Sequence, residues 1–189
     1  MKLLYLLGLI CLASINLTLT SCHYHFGRGE TAHNYSSISV PYIEGDQKGQ
    51  LTAEIIKKIA TSGAFHYADE GGTLILKVKL LGFEEENINY CYDRKRRGKQ
   101  KKSIIPIETR VNATAEVHLI DGATGLKVRG PVCISANTEF DHTYYATRND
   151  INIFSLGQIN DIDAAREAAM DPLNRNLANA IVDYIINSW

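Results

Sequence analysis

The chain has 189 residues, with 20 lysines and arginines against 21 aspartates and glutamates, a formal net charge of −1, and 45% hydrophobic residues. That length suits one domain with an adequate core. No internal repeat, low-complexity tract or Pro/Gly-rich linker divides it, which excludes a repeat or multidomain architecture.

The N-terminus reads as an export signal. Lys2 precedes seventeen uncharged, mostly apolar residues from Leu3 to Leu19, softened by Ser14, Asn16 and Thr18. A short positive region before an apolar one is the pattern of a signal peptide. A stable span needs ~20 predominantly apolar residues, so an uncleaved anchor is the weaker alternative. Leu19-Thr20-Ser21-Cys22 then resembles the bacterial lipobox, in which a branched apolar residue and two small ones precede a cysteine. The resemblance implies that residues 1–21 are removed and that Cys22 is alkylated by diacylglycerol. His23 and His25 beside it invite a metal reading, and a disulfide is a third option. A thioether-linked cysteine has no thiolate, so lipidation excludes both zinc ligation and a bridge. His23, where an aspartate would signal retention in the inner membrane, resembles the outer-membrane sorting class. A bacterial lipoprotein carries two or three acyl chains, and at ~0.8 kcal/mol per buried methylene its release is negligible.

Removing Lys2 with the first 21 residues leaves a 168-residue chain with 19 basic and 21 acidic residues. The near-balance hides a polarity. Arg94, Lys95, Arg96, Arg97, Lys99, Lys101 and Lys102 place seven positive charges in nine residues, so the rest of the mature chain sums to −9.

Residues 22–35 read as a lipidated N-terminus and short tether, and residues 36–189 as the domain. Ile38, Val40 and Tyr42 alternate with serines, which predicts a strand over 36–43, with Pro41 at an edge or strand end. Asp46 is placed to cap a helix running to about Ser62, where Leu51, Ile55 and Ile59 recur at helical spacing and Ile56 widens the stripe. Gly63 is its stop. Residues 73–83 form a strand apolar almost throughout, followed by an acidic and basic loop. From 104 to 120 the alternation is regular: Ile105, Ile107, Val111, Ala113, Ala115, Val117 and Leu119 share one face. The other face carries Glu108, Arg110, Asn112, Thr114, Glu116 and His118. Asp121-Gly-Ala-Thr-Gly125 is a turn, and Leu126, Val128, Val132 and Ile134 mark the returning strand. Ala164, Ala165, Ala168 and Ala169 favour helix. Asp171-Pro172 has the form of a cap followed by proline at the first helical position, so Pro172 either separates two helices or kinks one. Beyond it Leu173, Leu177, Ile181 and Ile185, with Ala180 and Tyr184, form an apolar stripe.

The expected fold is α+β, with two helices packed on one face of a four-stranded mixed sheet in the order β-α-β-β-β-α. The helical crossover makes the first two strands parallel, and the remainder is a meander.

At this point the chain resembles a family. A lipobox cysteine followed by His23-Tyr-His-Phe-Gly27, a strand with Ser39-Val-Pro-Tyr42, and a helix opening near Leu51-Thr-Ala-Glu-Ile-Ile-Lys-Lys-Ile59 are similar to the LptE family of lipopolysaccharide-assembly lipoproteins. The hairpin and the Ala165–Ile185 helix continue the likeness. Members usually carry Cys-Gly-Tyr-His; here His23 replaces the glycine while Tyr24 and His25 match. The resemblance implies an outer-membrane-anchored, periplasm-facing domain. It implies a place inside the barrel of LptD, where it would help load lipopolysaccharide. Wide barrels have polar lumens, which a domain with a polar sheet face would suit. The ten tyrosines suit a contact surface, since each offers area and a hydroxyl, although single tyrosines more often serve a core.

An enzyme is not expected. The chain has no Gly-x-Ser-x-Gly, Ser-x-x-Lys, Walker A, Gly-x-Gly-x-x-Gly or His-Glu-x-x-His. Glu84-Glu85-Glu86 would alternate faces on a strand and reads as a solvated segment, not a metal site. His33, His66, His118 and His142 are scattered, and no cofactor is implied. An alternative function is a periplasmic lipoprotein that regulates a cell-wall synthase by protein contact, although about a dozen tether residues are few for crossing the periplasm. Nucleic acid binding through the basic run is discounted by export. That run, Arg94 to Lys102, is instead the expected contact for lipopolysaccharide phosphates, which arginine can grip bidentately. Solubility, or contact with acidic loops of the barrel, is the competing explanation. Cys91 and Cys133 are expected to stay unbridged, because an intervening strand would hold their own strands ~9–10 Å apart.

Overall fold

The computed structural model describes residues 34–94, 100–141 and 162–187. The elements are β1 (Ser37–Ser39), α1 (Gln50–Ser62), β2 (His66–Tyr67), β3 (Leu74–Arg94), β4 (Gln100–Asp121), β5 (Lys127–Asp141) and α2 (Ile162–Asn187). They form an α+β fold in which the sheet has five strands in the order β2-β1-β3-β4-β5, not four. The additional strand is the two-residue β2, which pairs parallel with β1 at the edge. Two residues carry no readable period, so sequence pattern could not reveal it. The parallel crossover is as expected: β1 pairs parallel with β3 through Ile38–Leu74 and Ser39–Ile75. The meander β3-β4-β5 is antiparallel.

The core lies between the sheet and the two helices. Leu51, Ile55 and Ile59 of α1 are buried, as their spacing requires. Leu173, Leu177, Ile181 and Ile185 of α2 are buried with Ala178 and Val182. Against them lie Leu74, Leu76 and Val78 of β3 and the alternating set Val111, Ala113, Ala115, Val117 and Leu119 of β4. Alanines at 113 and 115 let the helices approach the sheet closely.

Several local expectations change. The first strand pairs only at 37–39; Glu44 returns to the sheet through an isolated bridge to Lys79. Residue 49, not 46, is the N-cap of α1, with Gly49 at φ 69. Asp46 still caps from upstream: its Oδ2 accepts both the Thr52 amide and the Thr52 hydroxyl, each at 2.8 Å. Gly63 ends the helix at φ 65, in the left-handed region that favours glycine. Pro172 neither separates nor starts a helix but lies inside α2. Asp171 is therefore not an N-cap, and its carboxylate instead accepts from Gln50 Nε2 at 3.3 Å. Proline here removes one backbone bond, and the buried residues on both sides of it, Ala169 and Leu173, hold the helix continuous.

The largest departure concerns residues 84–94, expected as a loop. They are strand, because β3 stays paired with β4 until Arg94 meets Gln100. A bulge between Leu80 and Gly82 makes this possible. Leu80 faces Ala115, and after one extra residue Phe83 faces Ala113, Glu85 faces Val111 and Asn87 faces Thr109. The helix-side positions thus switch from even to odd numbers. Gly82 sits at φ 155, a backbone geometry side chains rarely adopt. Uninterrupted alternation would have turned Glu84 and Glu86 towards the helices; the bulge leaves only Glu85 on that side, where Arg166 receives it.

Candidate functional site

The hairpin of β3 and β4 is far longer than the layer of helices above it. Its covered half begins at Leu74 and Asp121, which pair with each other. Beyond the pairing of Glu108 with Asp141, the last residue of β5, it continues as a two-stranded arm. Two register shifts, between Asn87 and Asn89 and between Asn89 and Tyr90, mark the base of that arm. Twenty-one residues in β3, at about 3.3 Å each, give an end-to-end length of roughly 65 Å before twist shortens it.

Several contacts fix the base. Arg166 of α2 donates through Nε to Glu85 Oε1 at 2.6 Å and through Nη2 to Oε2 at 3.1 Å, a two-pronged grip, while Nη1 reaches Asp163 at 2.7 Å. The carboxylates raise the Arg166 guanidinium pKa, Glu85 most of all. The Thr109 hydroxyl donates to Asn87 Oδ1 at 2.9 Å across the strands. On the face away from the helices, Arg110 binds Glu139 of β5 at 2.6 Å.

The arm itself is unlike the rest of the sheet. Tyr90 pairs with Pro106 and Tyr92 with Ile104, so these four residues share one face of the ribbon. Tyr90, Tyr92 and Ile104 are 53%, 57% and 59% exposed, a cluster of large apolar side chains that no described element covers. The tyrosine surplus noted in the sequence pointed to contact surfaces without saying which. The signal for these two was the period-two spacing Tyr90-x-Tyr92, hidden in a stretch read as loop. Just beyond them, the structure places Arg94 at the end of β3 and Lys101 and Lys102 near the start of β4. Lys95, Arg96, Arg97 and Lys99 lie outside the described residues, as does Cys22. The strand pairing therefore brings Arg94, Lys101 and Lys102 to the tip of one arm.

The opposite end of the sheet receives the N-terminal segment. The Thr73 amide donates to Ser37 Oγ at 3.0 Å, and the Tyr35 hydroxyl donates to Asp121 Oδ2 at 3.1 Å. Asp121 also accepts the Ala123 amide at 3.0 Å, the Thr124 amide at 2.7 Å and the Thr124 hydroxyl at 2.9 Å. These bonds, those from Thr124 first, hold its carboxyl below the usual carboxylate range. Desolvation, and then its bond to Asp121, push the Tyr35 phenol up. Gly122 is required where it stands, because a Cβ there would strike the Gly72 carbonyl.

Two shallow clefts complete the surface. One, about 320 Å³, lies on the open sheet face between Pro41, Tyr42 and Glu44 and the side chains of Lys79, Glu116 and His118. Several of its polar groups are already engaged: Lys79 binds Glu44 at 2.7 Å and His118 Nε2 lies 2.8 Å from Glu116. The other, also about 320 Å³, lies where Lys48 and Gln50 of the α1 entry meet Phe83, Met170 and Asn174. Among the described residues no group of three or more His, Cys, Asp or Glu side chains could hold a metal. No helix among them is long and apolar enough to cross a membrane. Cys91 and Cys133 are free. Cys91 pairs with Ile105 and Cys133 with Glu116, eleven positions apart along β4, or about 36 Å. Axial separation, more than the intervening strand, keeps them from bonding.

No protein-family model matches the chain, and no curated protein matches it in sequence. Solved structures share the fold, and several of them are bacterial lipoproteins. Uncharacterized lipoprotein B from Nitrosomonas europaea superposes with a TM-score of 0.52 at 8% identity, over 80% of this chain and 83% of that one. Rare lipoprotein B from Shewanella oneidensis gives 0.45 at 10% identity, over 79% and 91%. A minor lipoprotein from Acinetobacter baumannii gives 0.48 at 12% identity, over 80% and 90%. At such identities the Nitrosomonas likeness establishes a common fold and nothing about the task performed.

Proposed function

We propose that the chain is an outer-membrane-anchored lipoprotein that assists lipopolysaccharide assembly as the plug-like partner of an LptD-type barrel, without enzymatic activity. The observation that carries this reading is where Arg94, Lys101 and Lys102, the described residues of the basic run, fall in the sheet. A lipobox at Cys22 ties one end of the molecule to a membrane. The chain enters the fold beside Asp121, and Arg94, Lys101 and Lys102 stand at the far end of β3 and β4. The thirteen residues from Cys22 to Tyr35 reach at most about 45 Å, less than the length of the hairpin. The cations are thus carried away from the anchor, towards a ligand that arrives from the aqueous side. Clustered phosphates of lipid A and its core sugars are the chemistry such a tip recognises. The open sheet face supports the barrel contact: Lys77, Lys79, Arg110, Asn112, Thr114 and Ser135 present a polar surface, as a water-filled lumen requires.

The test has three parts. Intact mass and detergent partition should show acyl additions at Cys22, and a soluble product cleaved elsewhere would end the lipoprotein reading. The lipidated protein should copurify with an outer-membrane barrel. Changing Arg94, Lys95, Arg96 and Arg97 to Ser should weaken lipopolysaccharide binding and its salt dependence while copurification with the barrel persists. Unaltered lipopolysaccharide affinity with loss of the barrel would show that the run reads protein and not lipid.

A further inference from the structure

We infer that the exposed face of the arm formed by Tyr90, Tyr92 and Ile104 is an acyl-chain subsite, so that the tip binds an anionic lipid as an amphiphile and not as a phosphate alone. This rests on the reading of the basic run as a lipopolysaccharide contact. Three observations support it. The three side chains are more than half exposed, although residues of this kind gain free energy by leaving water. They adjoin one another through the cross-strand pair Tyr92–Ile104 and the two-residue step from Tyr90 to Tyr92. In the chain Arg94 lies two positions beyond Tyr92 and Lys102 two before Ile104, and Arg94 pairs with Gln100, so the apolar face lies next to the basic end of the arm.

The occupant follows from that arrangement. An apolar strip about 7 Å long and one strand pair wide matches one or two acyl chains. It is small for a stable protein interface, which buries about 800 Å² on each partner. The cations beside it call for an anionic headgroup directly joined to those chains. Tyrosine suits such a boundary, because its ring is apolar and its hydroxyl stays wet; the Tyr90 hydroxyl already donates to the Asn87 carbonyl at 3.0 Å. The occupant is therefore a single anionic lipid presented to the tip.

The full lipidated chain, held in neutral phosphatidylcholine nanodiscs, is titrated with three probes: glycerol 3-phosphate, dihexanoyl phosphatidic acid below its micellar concentration, and dihexanoyl phosphatidylcholine. Burying two methylenes is worth about tenfold in affinity, so the acylated phosphate should bind at least about tenfold more tightly than glycerol 3-phosphate. NMR signals of Tyr90, Tyr92 and Ile104 should move with the acylated phosphate and stay still with glycerol 3-phosphate. Tyr90→Ser/Tyr92→Ser/Ile104→Ser should abolish the tenfold difference. Leu126→Ser, which changes an exposed apolar residue at the other end of the sheet, should preserve it. Equal affinity for the two phosphates, or signals that do not move, overturns the subsite. Tight binding of the zwitterionic probe equal to that of the acid shows chains read without charge and overturns it too. A patch that docks a second copy would appear as a dimer in sedimentation that the triple variant dissolves, with no change in lipid affinity, and that result also overturns it. The assembly reading fails separately: lipopolysaccharide binding untouched by the arginine and lysine replacements defeats that reading, even where the tyrosine signals respond.

Discussion

One hairpin passes through two environments in this molecule. Under α1 and α2, β4 alternates Val111, Ala113, Ala115, Val117 and Leu119 at 0% exposure with polar residues facing out. Beyond Glu108 the same two strands stay paired, with register shifts, as far as Arg94 and Gln100, yet Ile105 and Ile107 are only half-buried and Ile104 is largely exposed. Backbone pairing satisfies amides and carbonyls in both halves, but only the covered half adds burial. The comparison separates what hydrogen bonding accomplishes from what the hydrophobic effect accomplishes: the first sets the hairpin's shape, the second its stability.

The largest effect should come from the covered half. Leu177→Ala opens a cavity where α2 meets the sheet, and a substitution of that kind costs about 2–5 kcal/mol. Ile104→Ala removes a residue of similar size from the arm and should cost under ~0.5 kcal/mol. Urea unfolding of both variants measures the contrast. Equal losses would mean that the arm is packed as tightly as the core, and would erase the distinction drawn above.

A smaller effect should come from the seam between the helices. Asn174 is 8% exposed and donates through Nδ2 to Gln50 Oε1 at 3.3 Å. Gln50→Ala leaves that amide without this acceptor and also removes the bond to Asp171, for an expected cost of about 1–2 kcal/mol. Asn174→Leu in the Gln50→Ala background should restore part of the loss, because the orphaned amide disappears with it. A double variant no more stable than Gln50→Ala alone would show that the amide was satisfied elsewhere.

Much of the covered half was legible in the sequence, and little of the arm was. The stripes Leu51-Ile55-Ile59 and Leu173-Leu177-Ile181-Ile185 announced themselves, because a buried face imposes its period on the residues. The parallel crossover followed from the helix between the first two strands. On β4 the alternation through Ile105 and Ile107 was read, but the β3 side of the arm imposes no such period, since no described helix covers either face, and the charged and polar residues of 84–94 read as loop. The bulge at Leu80–Gly82 compounded this: it reverses which residues face the helices, so a pattern followed from Leu74 onwards points Phe83 and Glu85 to the wrong side. Pro172 misled for a different reason. Its local signal is a helix start, and tertiary packing of Ala169 and Leu173 overrode it. Of the site residues, the basic run was visible as charge, while its apolar neighbours Tyr90, Tyr92 and Ile104 needed strand pairing to bring them together.

The end of the sheet opposite the arm offers a pH test. The Asp121 carboxyl is held below its ordinary value by the bonds from Thr124, Tyr35 and Ala123. A depressed carboxylate stabilises the fold above the pKa of the unfolded chain, near 4, and that contribution fades as pH falls through the lower, folded value. Asp121→Asn should therefore lower the melting temperature at pH 7, and the difference should persist down to about pH 4 and shrink only as pH falls further. Melting curves between pH 7 and pH 2.5 would show the two proteins converging in acid. Parallel curves across that range would mean the carboxylate contributes through shape and not charge.

The smallest expected effect lies at the junction of the two regions, where Arg166 grips Glu85. Both side chains are more than a third exposed, at 37% and 38%, so solvent screens the pair and a value of ~0.5–1 kcal/mol is the ceiling for such contacts. Its geometry exceeds its energy in interest, since it is the ion pair joining α2 to β3 just before the arm leaves the covered sheet. Arg166→Ala, Glu85→Ala and the double variant form a cycle whose coupling should be a few tenths of a kcal/mol and should shrink in 1 M salt, where the screening length falls to about 3 Å. Hydrogen exchange adds the sharper reading. If the clasp holds the base of the arm in place, Arg166→Ala should speed exchange at Asn87 and Thr109 while leaving Val117 and Leu119 protected. Uniform acceleration along β4 would mean that arm and core open together, and that the hairpin behaves as one unit despite its two environments.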